Sequence, residues 1–141
     1  MKCSLAVVVC PTHAMSRVLV VDDDRSVVFM LTEVLRDAGH EVIAASSSEQ
    51  AISFSADIDA AVVDLHLPGE CGKALIRRLR EHRATLPVIL LTGDMRRGQD
   101  EANAGDATLE LDVMTKPFDI DELARVLDRA LSRSLPRATS A

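Results

Sequence analysis

The 141-residue chain reads as a doubly wound α/β domain, a five-stranded parallel sheet with helices on both faces. Two observations predict it. Short, continuously apolar runs end at polar residues, as strands buried on both faces do, and segments with helical apolar spacing stand between them. That alternation implies right-handed crossovers and one parallel sheet.

Arg17 to Val21 is the first strand and stops at Asp22-Asp23-Asp24. Helix one runs from about Asp24 to Ala38, with Val27, Val28, Leu31, Val34 and Leu35 at helical spacing and Gly39 as its C-terminal cap. Glu41 to Ala45 is a second strand. Ser47 followed by Gln50 has the form of a capping box for a helix through Phe54. The organising stretch is strand three, Ala60 to Asp64, which runs into a carboxylate and then a Pro68-Gly69 turn. Helix three covers about Lys73 to Glu81, and Pro87 to Leu91 is strand four, since proline is tolerated at a strand's first residue. Leu111 to Thr115 is strand five, and Asp119 with Glu122 caps a last helix. Five such units make a flavodoxin-like (βα)5 domain. Between strands four and five, Gly98, Asn103, Gly105 and Asp106 break any apolar stripe, so a short or irregular fourth helix is expected over Arg96 to Thr108.

The expected organisation is an N-terminal extension open to disorder (1–15), a domain over 16–133 and a polar tail (134–141). A chain of this length can bury roughly 68–70% of its unfolded surface without staples. Hydrophobic residues make up 48% and charged residues 27%, which excludes a disordered chain. The net charge of −6 argues against non-specific nucleic-acid binding. Arg77, Arg78, Arg80 and Arg83 form a local basic run, expected to be a solvated helix face. Cys3, Cys10 and Cys71 form no CxxC pair and suit a reducing compartment. No run approaches membrane-spanning length. Leu5 to Cys10 weakly imitates a secretory signal, but the run is short and Val9 is too large for a lipoprotein cleavage site. A cytoplasmic protein, with Met15 an alternative start, is the favoured reading.

In a doubly wound sheet the carboxyl ends of strands one, three, four and five meet at one edge, where such sheets place their ligands. That brings Asp22, Asp23, Asp64, Thr92 and Lys116 into one pocket. Like charges about 4 Å apart repel by roughly 4 kcal/mol at an effective dielectric of 20. A divalent cation resolves the conflict, and clustered carboxylates suit Mg2+. One carboxylate can then act as nucleophile toward phosphorus, with the metal and Lys116 offsetting charge on the phosphoryl oxygens. The Thr92 hydroxyl can bond the new group, and Gly93 leaves room for it.

At these residues the chain resembles response-regulator receiver domains. The segments that carry the resemblance are Val18-Leu19-Val20-Val21-Asp22-Asp23-Asp24, Val62-Val63-Asp64-Leu65-His66-Leu67-Pro68-Gly69, Leu90-Leu91-Thr92-Gly93 and Thr115-Lys116-Pro117-Phe118. They occur in the family's order and cover about Ser16 to Arg133. The resemblance implies a two-component signalling protein that is no classical enzyme but catalyses its own phosphorylation and dephosphorylation. It implies that Asp64 accepts a phosphoryl group from a sensor histidine kinase or a histidine phosphotransfer protein. Asp22 and Asp23 would hold Mg2+ with Asp64 and the main-chain carbonyl of His66, Asp23 being the preferred direct ligand. Thr92 and Lys116 would read the phosphorylated state, and a cis Lys116-Pro117 bond is expected.

Several residues have plainer readings. Asp24 is the start of helix one, where a carboxylate suits the dipole. His66 is expected to gate water access to Asp64, while His13, His40 and His82 are taken as surface residues and Cys71 as an incidental thiol. One departure from the family bears on signalling: the switch position three residues before Lys116 usually carries an aromatic, and here it is Val113. Output is therefore expected to use helix one or a reshaped fourth helix. With only a short tail after the last helix, output by contact with a downstream protein is expected, with no direct DNA binding and no membrane. Alternatives are a receiver-like binding module that needs no phosphorylation, and a haloacid-dehalogenase-like phosphatase using Asp22, whose Asp-x-Asp spacing with Asp24 fits but whose following Ser26 does not. The chain is then a stand-alone receiver, a phosphate sink or relay, or a piece of something longer.

Overall fold

The computed structural model describes residues 16–93 and 111–134. The elements in chain order are β1 (Arg17–Val21), α1 (Arg25–Asp37), β2 (Glu41–Ala45), α2 (Ser48–Ile52), a 3-10 turn (Ser55–Asp57), β3 (Ala60–Asp64), β4 (His66–Leu67), β5 (Glu70–Cys71), α3 (Gly72–Arg80), β6 (Val88–Thr92), β7 (Asp112–Thr115) and α4 (Ile120–Ser134). Five strands form one parallel sheet in the order β2-β1-β3-β6-β7, the expected flavodoxin-like arrangement. The expected irregular helix over 96–108 lies outside the described residues.

Alternate residues of the central strands supply two separate cores. Leu19, Val21, Ala61, Val63 and Leu90 pack with Leu75, Ile76 and Leu79 of α3. Val18, Val20, Val62, Ile89 and Leu91 pack on the other face with Leu31 and Leu35 of α1 and Leu123 and Leu127 of α4. Burial on both faces is why these strands are continuously apolar. Truncating any one of these leucines to alanine would cost roughly 2–5 kcal/mol through lost transfer energy and the cavity left behind.

Chain-local chemistry sets the helix ends. Asp24 is the N-cap of α1 and its side chain accepts from the Ser26 N–H at 2.9 Å. At the other end Gly39 takes φ +98°, its N–H donates to Arg36 O at 2.9 Å, and the His40 N–H donates to Leu35 O at 3.0 Å. That is a Schellman motif, and it tucks His40 under the helix end. His40 is therefore buried, correcting its expected surface position. Ser47 caps α2 as expected through the Gln50 N–H at 3.2 Å. The Gln50 side chain, however, reaches the Ser46 N–H at 2.9 Å, one residue beyond the capping-box partner.

The basic run on α3 is not a plain solvated face. Arg78 pairs with Glu70 at 2.9 Å, Arg80 donates twice to Leu86 O at 3.1 and 2.7 Å, and Arg83 donates to Ile58 O at 2.9 Å. Arg78 thus ties α3 to β5, while Arg80 and Arg83 tie the end of α3 and the turn after it to the segments before β6 and β3, satisfying the Leu86 and Ile58 carbonyls.

Candidate functional site

The strand register assembles the site. Val21 lies opposite Val63, Asp64 opposite Leu91, and Thr92 opposite Thr115, so the residues that end or follow four strands share one edge. Lys116 is held there by its own backbone, whose N–H donates to Thr92 O at 2.7 Å. The Lys116-Pro117 bond is cis, as the resemblance implied.

Asp22, Asp23 and Asp64 each bring a carboxylate oxygen within 4.8 Å of the others. Their surroundings differ. Asp22 is 2% exposed, and both its oxygens are engaged: Oδ1 accepts from the Asp24 N–H at 2.9 Å and Oδ2 from Lys116 Nζ at 3.0 Å. Asp64 is 7% exposed, accepts from the His66 N–H at a long 3.4 Å, and stands 3.6 Å from Lys116 Nζ. Asp23 is exposed, with its side chain in no hydrogen bond or ion pair among the described residues.

Electrostatics follow from this packing. Burial, then the neighbouring Asp22 charge, pushes the Asp64 carboxyl above the ordinary range, and these outweigh Lys116 and the His66 N–H. Burial pulls the Lys116 ammonium down, but its hydrogen bond to Asp22 and the charges of Asp22 and Asp64 win, so it is raised. Lys116 is thus a fixed positive charge facing two acids. One ammonium does not neutralise three carboxylates, and the remaining negative charge with the uncommitted Asp23 oxygens fits a hard divalent cation bound through oxygen.

Thr92 is fully buried at the end of β6. Val113 is half-buried in β7 and packs against the core beside α3. His66 is exposed in β4. Two features escaped the sequence reading. Residues 66–71 form a small antiparallel hairpin, β4 with β5, around Pro68 and Gly69, whose φ of +82° suits the turn. Gly72, at the start of α3, donates its N–H to Leu65 O at 2.8 Å, and a Cβ there would run into the main-chain carbonyl of Asp64. The signal was a glycine at the first position of a helix, where nothing in helix propensity asks for one.

A family model described as the response regulator receiver domain matches residues 18–128. The chain is 38% identical over 123 residues to the virulence transcriptional regulatory protein PhoP of Salmonella typhimurium, covering 85% of this chain and 54% of that protein. It is similar to the crystal structure of a putative response regulator from Chloroflexus aurantiacus, with TM-score 0.73 and 38% identity over 84% of this chain and 99% of that one. A response regulator receiver domain protein from Clostridium thermocellum superposes with TM-score 0.76 at 25% identity, covering 84% and 96% of the two chains. The chain therefore belongs to the response-regulator receiver family of two-component signalling. It spans about half the length of the curated relative it matches. Among the described residues, no helix is long and apolar enough to cross a membrane.

Proposed function

We propose that the chain is a phospho-accepting receiver that takes a phosphoryl group from a phosphohistidine donor onto Asp64. The single observation that carries this reading is the Lys116 ammonium standing 3.0 Å from Asp22 and 3.6 Å from Asp64 inside a cluster of three acids. An Asp64 oxygen attacks phosphorus and the P–N bond to the donor imidazole breaks, its electron pair staying on the leaving nitrogen. The product is an acyl phosphate on Asp64. Because Lys116 leans toward Asp22, the Asp64 carboxylate keeps an oxygen for attack. The ammonium then stands ready to meet the added phosphoryl charge.

Mg2+ is the group these acids fit, with Asp23 as the direct ligand and Asp22, Asp64 and the His66 carbonyl completing the protein's share. When bound it would offset charge on the phosphoryl oxygens. Thr92 would bond the phosphoryl group, and His66, exposed beside the acceptor, would govern water access and hence the lifetime of the acyl phosphate. The donor would be a sensor histidine kinase or a histidine phosphotransfer protein. Output through contact with a downstream protein suits the acidic chain, and Val113 favours a route other than an aromatic switch. The doubly engaged, buried carboxylate of Asp22 supports Asp64 over Asp22 as nucleophile, against a phosphatase.

The test is Mg2+-dependent modification by acetyl phosphate, read by intact mass. One adduct of a phosphoryl group on the wild type, absent from Asp64→Asn and absent without Mg2+, is expected. An adduct that survives Asp64→Asn would sink the assignment, and absence of any adduct with several donors would favour the phosphorylation-independent module.

A further inference from the structure

Two features that the acceptor chemistry leaves unused fit each other. The first is the free side of β2, an outer strand of the sheet that pairs only with β1 among the described residues. The Glu41 N–H donates to Ser16 O at 2.8 Å and Ala45 O accepts from the Asp22 N–H at 3.4 Å, so Glu41, Ile43 and Ala45 face β1. Successive residues of a strand point their main-chain groups to opposite sides, which turns the N–H and C=O of Val42 and Ala44 to the free edge. The strand, EVIAA, has no lysine or proline to guard that edge, and Ala44 is exposed on it. Both faces beside the edge are apolar: Ile43 packs with the core that Ile52 and Phe54 border, and Val42 with the core of α1 and α4.

The second feature is Leu5-Ala6-Val7-Val8-Val9-Cys10, uncharged, free of proline and glycine, and β-branched at Val7, Val8 and Val9. A run of this composition has strong strand preference and, left uncovered, pairs with other chains. It is apolar at both parities, so as a strand it needs cover on both faces.

We propose that this segment docks on the free edge of β2 of its own chain as an antiparallel strand, extending the sheet. Chain length selects the occupant and its direction. Ser16 sits at the amino edge of the sheet, bonded to Glu41, and the stretch from Cys10 to Ser16 can reach about 20 Å when fully extended. An added strand on β2 lies about 10 Å from β1, two strand spacings away. Running antiparallel to β2, the segment ends at the amino edge, and the connection is made with slack. Running parallel, it ends at the carboxyl edge, and the connection must also return along β2 by about 17 Å, which leaves no length to turn round the sheet. A tether this short holds the segment at millimolar effective concentration, which favours its own edge over that of a second copy. Docking covers an edge open to foreign strands and buries the run that would otherwise seek one.

The experiment is amide hydrogen exchange, read by NMR on the whole chain at two protein concentrations. In the wild type the Val42 and Ala44 amides should be protected at both. Of two consecutive residues in a strand, one points its N–H at the neighbour, so Val7→Pro with Val8→Pro must remove a ladder donor. This double variant should speed exchange at Val42 and Ala44 by roughly tenfold or more. Ile43 and Ala45, which face β1, should keep their protection and so report an intact fold. Val7→Thr with Val8→Thr keeps the donors and the β-branching and should exchange like the wild type. Unprotected Val42 and Ala44 amides in the wild type, or protection indifferent to the two prolines, would overturn the proposal. Protection that falls on dilution would overturn it too, assigning the edge to a strand from a second copy.

Discussion

Lys116 holds Asp22 more closely than the acceptor: its Nζ is 3.0 Å from Asp22 Oδ2 and 3.6 Å from Asp64 Oδ2. Asp22 is also tied to the Asp24 N–H through its other oxygen, so the lysine is anchored to the start of α1. The acceptor carboxylate keeps the weaker hold.

Lys116→Met should therefore lower stability as well as phosphorylation. It leaves the buried Asp22 without a charge-assisted hydrogen bond, worth about 1.5–3 kcal/mol. Lys116 is about a quarter exposed and solvent screens part of this, which places the expected loss at the low end, about 1.5 kcal/mol. A urea titration at neutral pH checks it; an unchanged midpoint would mean the pair contributes nothing net. Because the Lys116 ammonium is raised, its contribution is complete below its unfolded pKa of about 10.4 and is lost as pH rises through the higher folded value.

Asp64→Asn should stabilise the metal-free protein at neutral pH. Burial and the Asp22 charge raise the Asp64 carboxyl, so over a window above about pH 3.9 the folded state holds a proton that the unfolded state has released. Stability from this group therefore falls as pH rises through the window, and the ionised form carries a constant penalty above it. Melting temperatures of the two proteins across pH should converge in acid and separate toward neutrality, with Asp64→Asn higher. The opposite order at pH 7 would contradict the assignment.

Mg2+ should raise the melting temperature of the wild type. Binding to the folded state alone adds about 2.7 kcal/mol at one hundred times Kd. Asp23→Asn should lose most of this gain while melting like the wild type without metal, since the Asp23 side chain is exposed and bonded to nothing among the described residues. A full Mg2+ response in Asp23→Asn would remove it from the ligand set.

Gly72→Ala and Gly39→Ala separate two uses of glycine. At Gly72 the new methyl meets the carbonyl of Asp64 and, at 2.9 Å, the Leu65 Cα, both backbone. Overpacking of this kind costs roughly 1–3 kcal/mol and would displace the acceptor, so phosphorylation should slow. At Gly39 there is open space but φ is +98°, and the left-handed strain costs roughly 1–2 kcal/mol with the site untouched. Denaturation midpoints with acetyl phosphate rates distinguish the two; equal rates would show that the acceptor strand absorbs the methyl.

The chain order of apolar runs, the Asp24 and Ser47 caps, the Gly39 stop and the identities of Asp22, Asp23, Asp64, Thr92 and Lys116 were all legible in the sequence. Strand burial, helix periodicity and capping are local, so their pattern is written in neighbouring residues. The parallel sheet follows, because a strand, a helix and another strand have essentially one way to pack.

Tertiary structure decided what depends on distance between remote residues. Nothing in Lys116 or in the acidic triplet says that the ammonium leans to Asp22 and leaves Asp23 uncommitted; the register of β1, β3, β6 and β7 does. The burial of His40, the anchoring of Arg78, Arg80 and Arg83, and the need for glycine at position 72 are equally invisible along the chain. Each is a contact whose energy depends on side-chain and backbone atoms brought together by the fold, and periodicity carries no record of which atoms those are.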